Sequence, residues 1–227
     1  LNSPRPNLPN LNKLLENFPS ISGQQDVNDL KEFADYYHLC YEGSNEISTK
    51  LDNLDSEFQF KYSHNPIHHM ESRMKDVSSL RRKVENKGLP VNITNIKQNI
   101  FDIAGIRVVT NYLNDVYYIE KTLTQQSDVT LLRRKDYIKN PKESGYRSLH
   151  LVVSVPVFQS DGVQNTPVEV QIRTEGMDMW ASLEHKLRYK TKTDPQLVAK
   201  YSPDLKSYAD ELATIEEHMQ EVHQALS

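Results

Sequence analysis

Seven residues, Val168 to Thr174, constrain this chain more tightly than any other stretch. Val168, Val170 and Ile172 alternate with Glu169, Gln171 and Arg173. At the two-residue repeat of an extended strand, the three polar side chains fall on one face and the three apolar ones on the other. A carboxylate, an amide and a guanidinium are costly to hide together. That face therefore lines water or a ligand, while its reverse backs a core.

Other stretches supply the rest of a sheet. Ile103 to Thr110 reads as a mostly apolar strand buried on both faces, with Asp102 at its entrance and Arg107 inside it. Val129 to Leu132 and Leu149 to Val155 read as two more strands, and Val116 to Leu123 as a helix. Pro156 to Pro167 is expected to be a polar loop with a turn at Asp161-Gly162. Residues 1 to about 25, rich in Pro, Asn and Ser, read as a flexible lead-in. After it, Leu30, Ala34, Tyr37 and Tyr41, then Ile47, Leu51, Leu54 and Phe58, fall at helical spacing. Gly43-Ser44-Asn45 between them predicts a break, hence a helical pair. Beyond a turn at His64-Asn65-Pro66, a helix is expected to carry Met70, Met74, Val77, Leu80 and Val84 as its apolar stripe and to end at Gly88. Lys75, Ser79 and Arg82 or Lys83 would share another of its faces.

From Met177 a further helix carries Trp180, Leu183 and Leu187. After Pro203, Leu205, Tyr208, Leu212, Ile215, Met219, Val222 and Leu226 form a seam three heptads long with an acidic exterior. The order of elements predicts an α+β fold, a mixed β-sheet flanked by helices with helical extensions at both ends. The expected divisions are 1–25 as lead-in, 26–190 as the main domain and 191–227 as an amphipathic helix suited to oligomerisation.

Two basic segments stand out against a net charge of −4. Arg73 to Lys87 holds six basic residues against two acidic ones, and so does Arg133 to Arg147. The second contains Lys135, Lys142, Ser144 and Arg147. Pro141 and Gly145 shape its turn, and Tyr146 offers a ring on which a base could stack. Arginines such as Arg73 and Arg107 can stack on a base or fork onto phosphate. Asp102 and Glu169 could divide labour in a pocket, one binding Mg²⁺ and the other accepting a proton. The overall acidic charge argues against a protein built mainly for nucleic acid. No GxxxxGK[ST] loop and no GxGxxG is present. One cysteine, Cys40, excludes an internal disulfide. His64, His68 and His69 lack Cys or carboxylate at ligand spacing, so zinc is not expected. No signal-peptide pattern or apolar run of membrane length is seen, and a cytoplasmic, membrane-free location is the expectation. The residues alone leave two readings open, a phosphate-binding enzyme or an RNA-contacting module.

In order and spacing, FDIAGIRVV, RRKDYI, KESGYRSLH, VEVQIRT and MDMWASLEHKLRYK resemble the synthetase domain of the RelA/SpoT-homologue alarmone enzymes. SRMKDVSSLRRK resembles the element preceding it, so the likeness spans about residues 45 to 190. With no hydrolase or regulatory region in the chain, the expectation is a stand-alone small alarmone synthetase. The resemblance implies a nucleotidyltransferase-like sheet and Mg²⁺-dependent transfer of pyrophosphate from ATP to the 3′-OH of GDP or GTP. The products would be ppGpp or pppGpp and AMP. Carried over, Asp102 would bind Mg²⁺, and Glu169 would be the general base or a second metal contact. Arg73 and Arg107 would sandwich adenine, and Lys75, Ser79 and Lys83 would grip the ATP phosphates. Lys142, with Lys135, Ser144 and Arg147 nearby, would hold the acceptor phosphates. Tyr146 would stack on guanine, with His150 and Gln171 supporting it. Arg133, Lys135 and Asp136 match the RxKD form of a charge-variable family motif.

Ser72 stands where the family often has Gly, and His68-His69-Met70-Glu71 differs from the Phe and Thr of the alarmone-activated branch. That favours the simpler, RelP-like branch. Small members are often tetramers, which gives the C-terminal seam a partner. The competing readings are an RNA-binding module using the same basic and aromatic pocket, and a nucleotidyltransferase releasing pyrophosphate.

Overall fold

The computed structural model describes residues 24–187 and 195–226. The expected lead-in therefore lies outside the described residues but for its last two. The elements run α1 (Gln24–Lys61), β1 (Ile67–Met74), α2 (Val77–Asn86), α3 (Ile93–Asn99), β2 (Ala104–Thr110) and α4 (Leu113–Thr124). They continue with β3 (Thr130–Asp136), β4 (Leu149–Gln159), β5 (Gly162–Thr174), α5 (Glu175–His185) and α6 (Pro195–Leu226). The five strands form one mixed sheet in the order β1-β2-β5-β4-β3. β2 and β5 are parallel and the other pairs antiparallel.

One sheet face is sealed. Ile106 and Val108, Leu149, Leu151, Val153 and Val155, and Val168, Val170 and Ile172 point to it. Ile47, Leu51 and Phe58 of α1 and Val116, Ile119 and Leu123 of α4 cover them. Fully burying each such aliphatic side chain stabilises the fold by roughly 1.5–3 kcal/mol. A second core joins Leu30, Phe33, Tyr37 and Cys40 of α1 to Val77, Leu80 and Val84 of α2 and to Ile93 and Ile96 of α3. The other sheet face carries the polar members of each strand.

Three expectations are corrected. The helical pair is one helix of 38 residues that runs through Gly43. A Cβ on Gly43 would stand 2.1 Å from Thr166 Cγ2. The glycine therefore serves close packing of α1 on β5 and is not a stop. Met70 and Met74 lie on β1, because a spacing of four also satisfies the strand repeat; helix begins only at Val77. There Asp76 caps α2, accepting from the backbone N–H of Ser78 at 3.0 Å and of Ser79 at 3.3 Å. The loop expected from Pro156 to Pro167 is the tip of a long β4–β5 hairpin, paired out to Gln159 and Gly162. Helix α6 meets the body through Leu205, Ala209, Leu212 and Gln220, against Trp180 and Ala181 and the start of α4. The predicted seam divides: its Leu205 and Leu212 face the body, while its Tyr208, Ile215, Met219 and Val222 are exposed. Helix α6 also starts at Pro195 and contains Pro203. Among the described residues no helix is long and apolar enough to cross a membrane.

Candidate functional site

Strand register assembles the site. Across the open face one row reads Glu71, Arg107, Gln171, His150, Lys135, and its neighbour reads Arg73, Gly105, Glu169, Val152, Arg133. Partners in a row lie one strand spacing apart, about 4.8 Å. Residues scattered over a hundred positions are thus set side by side by backbone pairing alone. Gly105 leaves the floor low between Arg73 and Glu169.

At one end, Asp102 precedes β2. Its Oδ2 lies 3.0 Å from Lys75 Nζ and 2.5 Å from Lys83 Nζ. Lys75 is fixed at its backbone, where its N–H donates to Ile103 O at 2.7 Å and its carbonyl accepts from the Tyr37 hydroxyl at 3.0 Å. Burial pushes the Asp102 carboxyl up, but the Lys83 hydrogen bond and the two ammonium charges outweigh it and hold it below the usual carboxylate range. Asp102 Oδ1 is buried with no hydrogen-bond partner. A buried orphan carboxylate oxygen calls for an explanation, and an ion is one. Mg²⁺ is held by one or two carboxylates plus substrate phosphates. Asp102, with Glu169 close enough for the two charges to interact, fits that donor set.

Glu169 sits in a closed ring of side chains. Arg173 Nη2 donates to the Tyr146 hydroxyl at 2.7 Å and to Gln171 Oε1 at 2.8 Å. Gln171 Nε2 donates to Glu169 Oε2 at 2.8 Å. The Tyr146 oxygen is 2.8 Å from His150 Nε2, and His150 Nδ1 is 3.4 Å from Glu169 Oε1. An ionised Glu169 carboxylate can only accept, so the imidazole presents an N–H to it, and the Tyr146 hydroxyl turns its own proton to His150 Nε2. That places the imidazole proton on Nδ1, facing Glu169. Both branches from Arg173 therefore end as donors to the same carboxylate. Burial raises the Glu169 carboxyl, and the His150 and Gln171 contacts more than reverse it, leaving it below its ordinary value.

The loop before β4 supplies the cations. Gly145 N–H donates to Lys142 O at 2.8 Å, closing a tight turn. Gly145 has φ 91°, and a Cβ there would meet Ala209 Cβ at 2.8 Å, so α6 seats directly on the turn. Lys142 Nζ lies 4.7 Å from the Tyr137 ring centroid and 4.6 Å from that of Tyr146. Lys135 is exposed on β3 beside His150. Arg147 is turned inward, donating to Ile138 O at 3.1 Å and to Asp210 Oδ1 at 2.9 Å. The Ser144 hydroxyl accepts from Tyr146 N–H at 3.4 Å. These two shape the loop in this structure. The Ser79 hydroxyl accepts from Arg82 Nη2 at 3.3 Å, on the first turn of α2. Arg73 is exposed on edge strand β1 and borders a cleft with Glu71 and Tyr41.

A family model described as a region found in RelA / SpoT proteins matches residues 72–194. The chain belongs to the RelA/SpoT family. It is 40% identical over 148 residues to GTP pyrophosphokinase YwaC of Bacillus subtilis, covering 65% of this chain and 70% of that protein. It is 37% identical over 145 residues to GTP pyrophosphokinase YjbM of the same organism, covering 64% and 67%. In fold it is similar to the Bacillus subtilis small alarmone synthetase 1 bound to its product pppGpp, with TM-score 0.76 and 31% identity over 87% of this chain and 97% of that one. Small alarmone synthetase 2 of that organism gives TM-score 0.74 and 34% identity over 86% and 99%. The α+β sheet anticipated from sequence is thus the fold of this RelA/SpoT group.

Two participants have no role that the sequence alone reveals. Arg173 falls on the polar face of β5 by its spacing, but its part as hub of the ring depends on Tyr146, 27 residues away. Asp178 reads from sequence only as an acid in the first turn of a helix. In the structure its Oδ1 lies 3.1 Å from Arg173 Nη1 and 3.4 Å from Arg107 Nε.

Proposed function

We propose that the chain transfers pyrophosphate from ATP to the 3′-OH of GDP or GTP, giving ppGpp or pppGpp and AMP. The observation that carries this is the pairing of two differently held carboxylates, Asp102 among lysines just before β2 and Glu169 within a ring of donors on the open face of β5, close enough for their charges to interact. The family's relatives named GTP pyrophosphokinases support the same reading.

Lys75 just before α2, Ser79 on its first turn and Lys83 in its last turn would bind the ATP phosphates, with the helix N-terminus adding partial positive charge near Lys75 and Ser79. Arg73 and Arg107, on neighbouring strands, would hold the adenine between guanidinium planes. Tyr146 would stack on guanine once Lys142 swings to the acceptor phosphates, joined by Lys135. His150 and Gln171 would keep Glu169 oriented. Asp102, and Glu169 in part, would hold Mg²⁺, which when bound supplies charge stabilisation on the transferred group. The new bond is O3′–Pβ; the bond broken joins Pβ to the oxygen that leaves with AMP. Glu169 takes the 3′-OH proton. Its carboxyl lies below the usual range, so it is ionised at neutral pH and acts through placement more than through basicity.

The exposed face of α6, with Tyr208, Ile215, Met219 and Val222, supports assembly into a homotetramer. We assign the reaction to the cytoplasm, where the three nucleotides are available. An RNA clamp is disfavoured, because two acids occupy the middle of the basic face, where a phosphate backbone would pass.

The test is to incubate the protein with ATP, GDP and Mg²⁺ and resolve nucleotides by anion exchange. A new, more highly charged guanosine species should appear one-for-one with AMP. Formation of ADP or free pyrophosphate in place of AMP would refute the reading.

A further inference from the structure

We propose that Asp178 is a positioning residue that couples the two nucleotide half-sites. The inference rests on the assignment above of Arg107 to the donor and Tyr146 to the acceptor. Asp178 lies in the first turn of α5, just past the end of β5. One of its oxygens, Oδ1, serves two guanidinium groups. It accepts from Arg173 Nη1 at 3.1 Å, and it stands 3.4 Å from Arg107 Nε. That Arg107 N–H is buried and makes no hydrogen bond. The second edge of Arg107 goes to Glu71 Oε2 at 3.2 Å. Arg107 is thus held between two carboxylates, one of which it shares.

The consequences differ on the two sides of Asp178. Arg173 is buried, 5% exposed, and its Nη2 is committed to the Tyr146 hydroxyl and to Gln171. Whatever fixes its Nη1 edge fixes the whole ring behind the acceptor. When the donor base engages Arg107 and draws its guanidinium charge away from Asp178, Oδ1 faces Arg173 alone. The Arg173 bond shortens, and Tyr146, His150 and Gln171 are set for the acceptor before it arrives. An acceptor that immobilises Tyr146 must favour the released state of Arg107 by the same factor, because binding linkage is reciprocal. The coupling is therefore positive. It needs no movement of backbone, only a change in whether one oxygen is shared with the Arg107 charge or serves Arg173 alone.

The experiment is calorimetric titration of the full chain with α,β-methylene ATP, which cannot undergo cleavage at the Pα–O–Pβ bridge, with and without GDP, and the converse. In the wild type each nucleotide should tighten the other by roughly fivefold or more, the lower end of the usual range of site-to-site coupling. In Asp178→Asn the oxygen remains but its charge is gone, and the factor should fall towards one. The affinities for each nucleotide alone should move less than the factor does. Asp178→Glu should restore part of the coupling, which a merely structural residue would not do. A coupling factor near one in the wild type would overturn the proposal without recourse to any variant. So would a folded Asp178→Asn that keeps the full factor. If the wild type makes AMP and the new guanosine species yet shows no coupling, the reading of function stands and this inference falls. If neither nucleotide binds, both fall.

Discussion

Asp102, just before β2, and Glu169, on β5, are the same kind of group, and both are held below the usual carboxylate range, but by different means. Asp102 is surrounded by full charges on flexible stems, and one of its oxygens has no hydrogen-bond partner. Glu169 has both oxygens engaged by a planar ring and an amide, each fixed from behind by Arg173. Charges on long side chains can be handed over to an arriving phosphate or metal ion. A wired ring cannot be rearranged cheaply, and so it preserves direction. The two acids thus differ in what they can do: the first exchanges partners, the second keeps its aim.

The sharpest way to break this contrast is Glu169→Gln. If Glu169 accepts the 3′-OH proton, kcat should fall by about 10³-fold, within the usual span for a lost general base. Nucleotide affinity should change little, because the amide can still accept from Gln171. Single-turnover rates beside equilibrium titration would check both halves. A variant that keeps most of its rate would move the base elsewhere.

Asp102→Asn tests the other half and should behave differently. Loss of a direct metal contact should cost more than the 10- to 100-fold typical of an outer-shell partner. Here the defect should appear in the Mg²⁺ concentration dependence and in the apparent affinity for ATP, since Lys75 and Lys83 lose their shared anion. A kcat-only defect with unchanged Mg²⁺ dependence would contradict the assignment. Next in size, His150→Leu and Gln171→Leu each remove one donor from Glu169. Each should lower kcat by about 10- to 100-fold, the worth of one charge-assisted hydrogen bond. If the ring acts as a unit, the double variant should lose less than the product of the two single effects.

The polar row of β5 was legible because a strand repeat is local, and so were Asp102 and the basic loop. Reading Gly43 as a stop failed because glycine signals both a helix end and a close approach; the approaching Thr166 is 123 residues away. Met70 and Met74 satisfied two periods at once, and only pairing with β2 decides between them. Helix α3, seven residues long, is too short to carry a period. For α6 the heptad was real, but which of its stripes faces the body depends on Trp180 and Gly145. The site residues could be named from motifs, whereas the ring that holds them closes through Arg173, and no local pattern reveals closure. Asp178 is the extreme case, since its two partners lie on different strands.

A third carboxylate completes the contrast and gives the smallest effect. Glu216, on α6, accepts from Gly176 N–H at 3.2 Å at the start of α5. Its place is tight, for a Cβ on Gly176 would stand 2.6 Å from Glu216 Oε1. Burial raises its carboxyl, and the hydrogen bonds from Thr174 and Gly176 and the charge of Arg147 do not reverse that, so it ends above its ordinary value. Among the described residues no lysine pair and no donor ring stands behind it. A carboxyl whose pKa is raised by folding binds its proton more tightly in the native state. Its contribution is therefore most favourable below the ordinary glutamate range and is lost as pH rises through the native value. At neutral pH α6 is docked against that penalty. Glu216→Gln keeps an acceptor for Gly176 and removes the charge, so it should stabilise the fold at pH 7 by up to about 1 kcal/mol, or a rise in Tm of about 2–4 °C. The gain should shrink towards pH 4, where Glu216 itself becomes neutral. Thermal melts of both proteins across that range would decide the matter. A gain that grew on acidification would mean that Glu216 is stabilised as the anion, and that it belongs with Glu169 rather than apart from it.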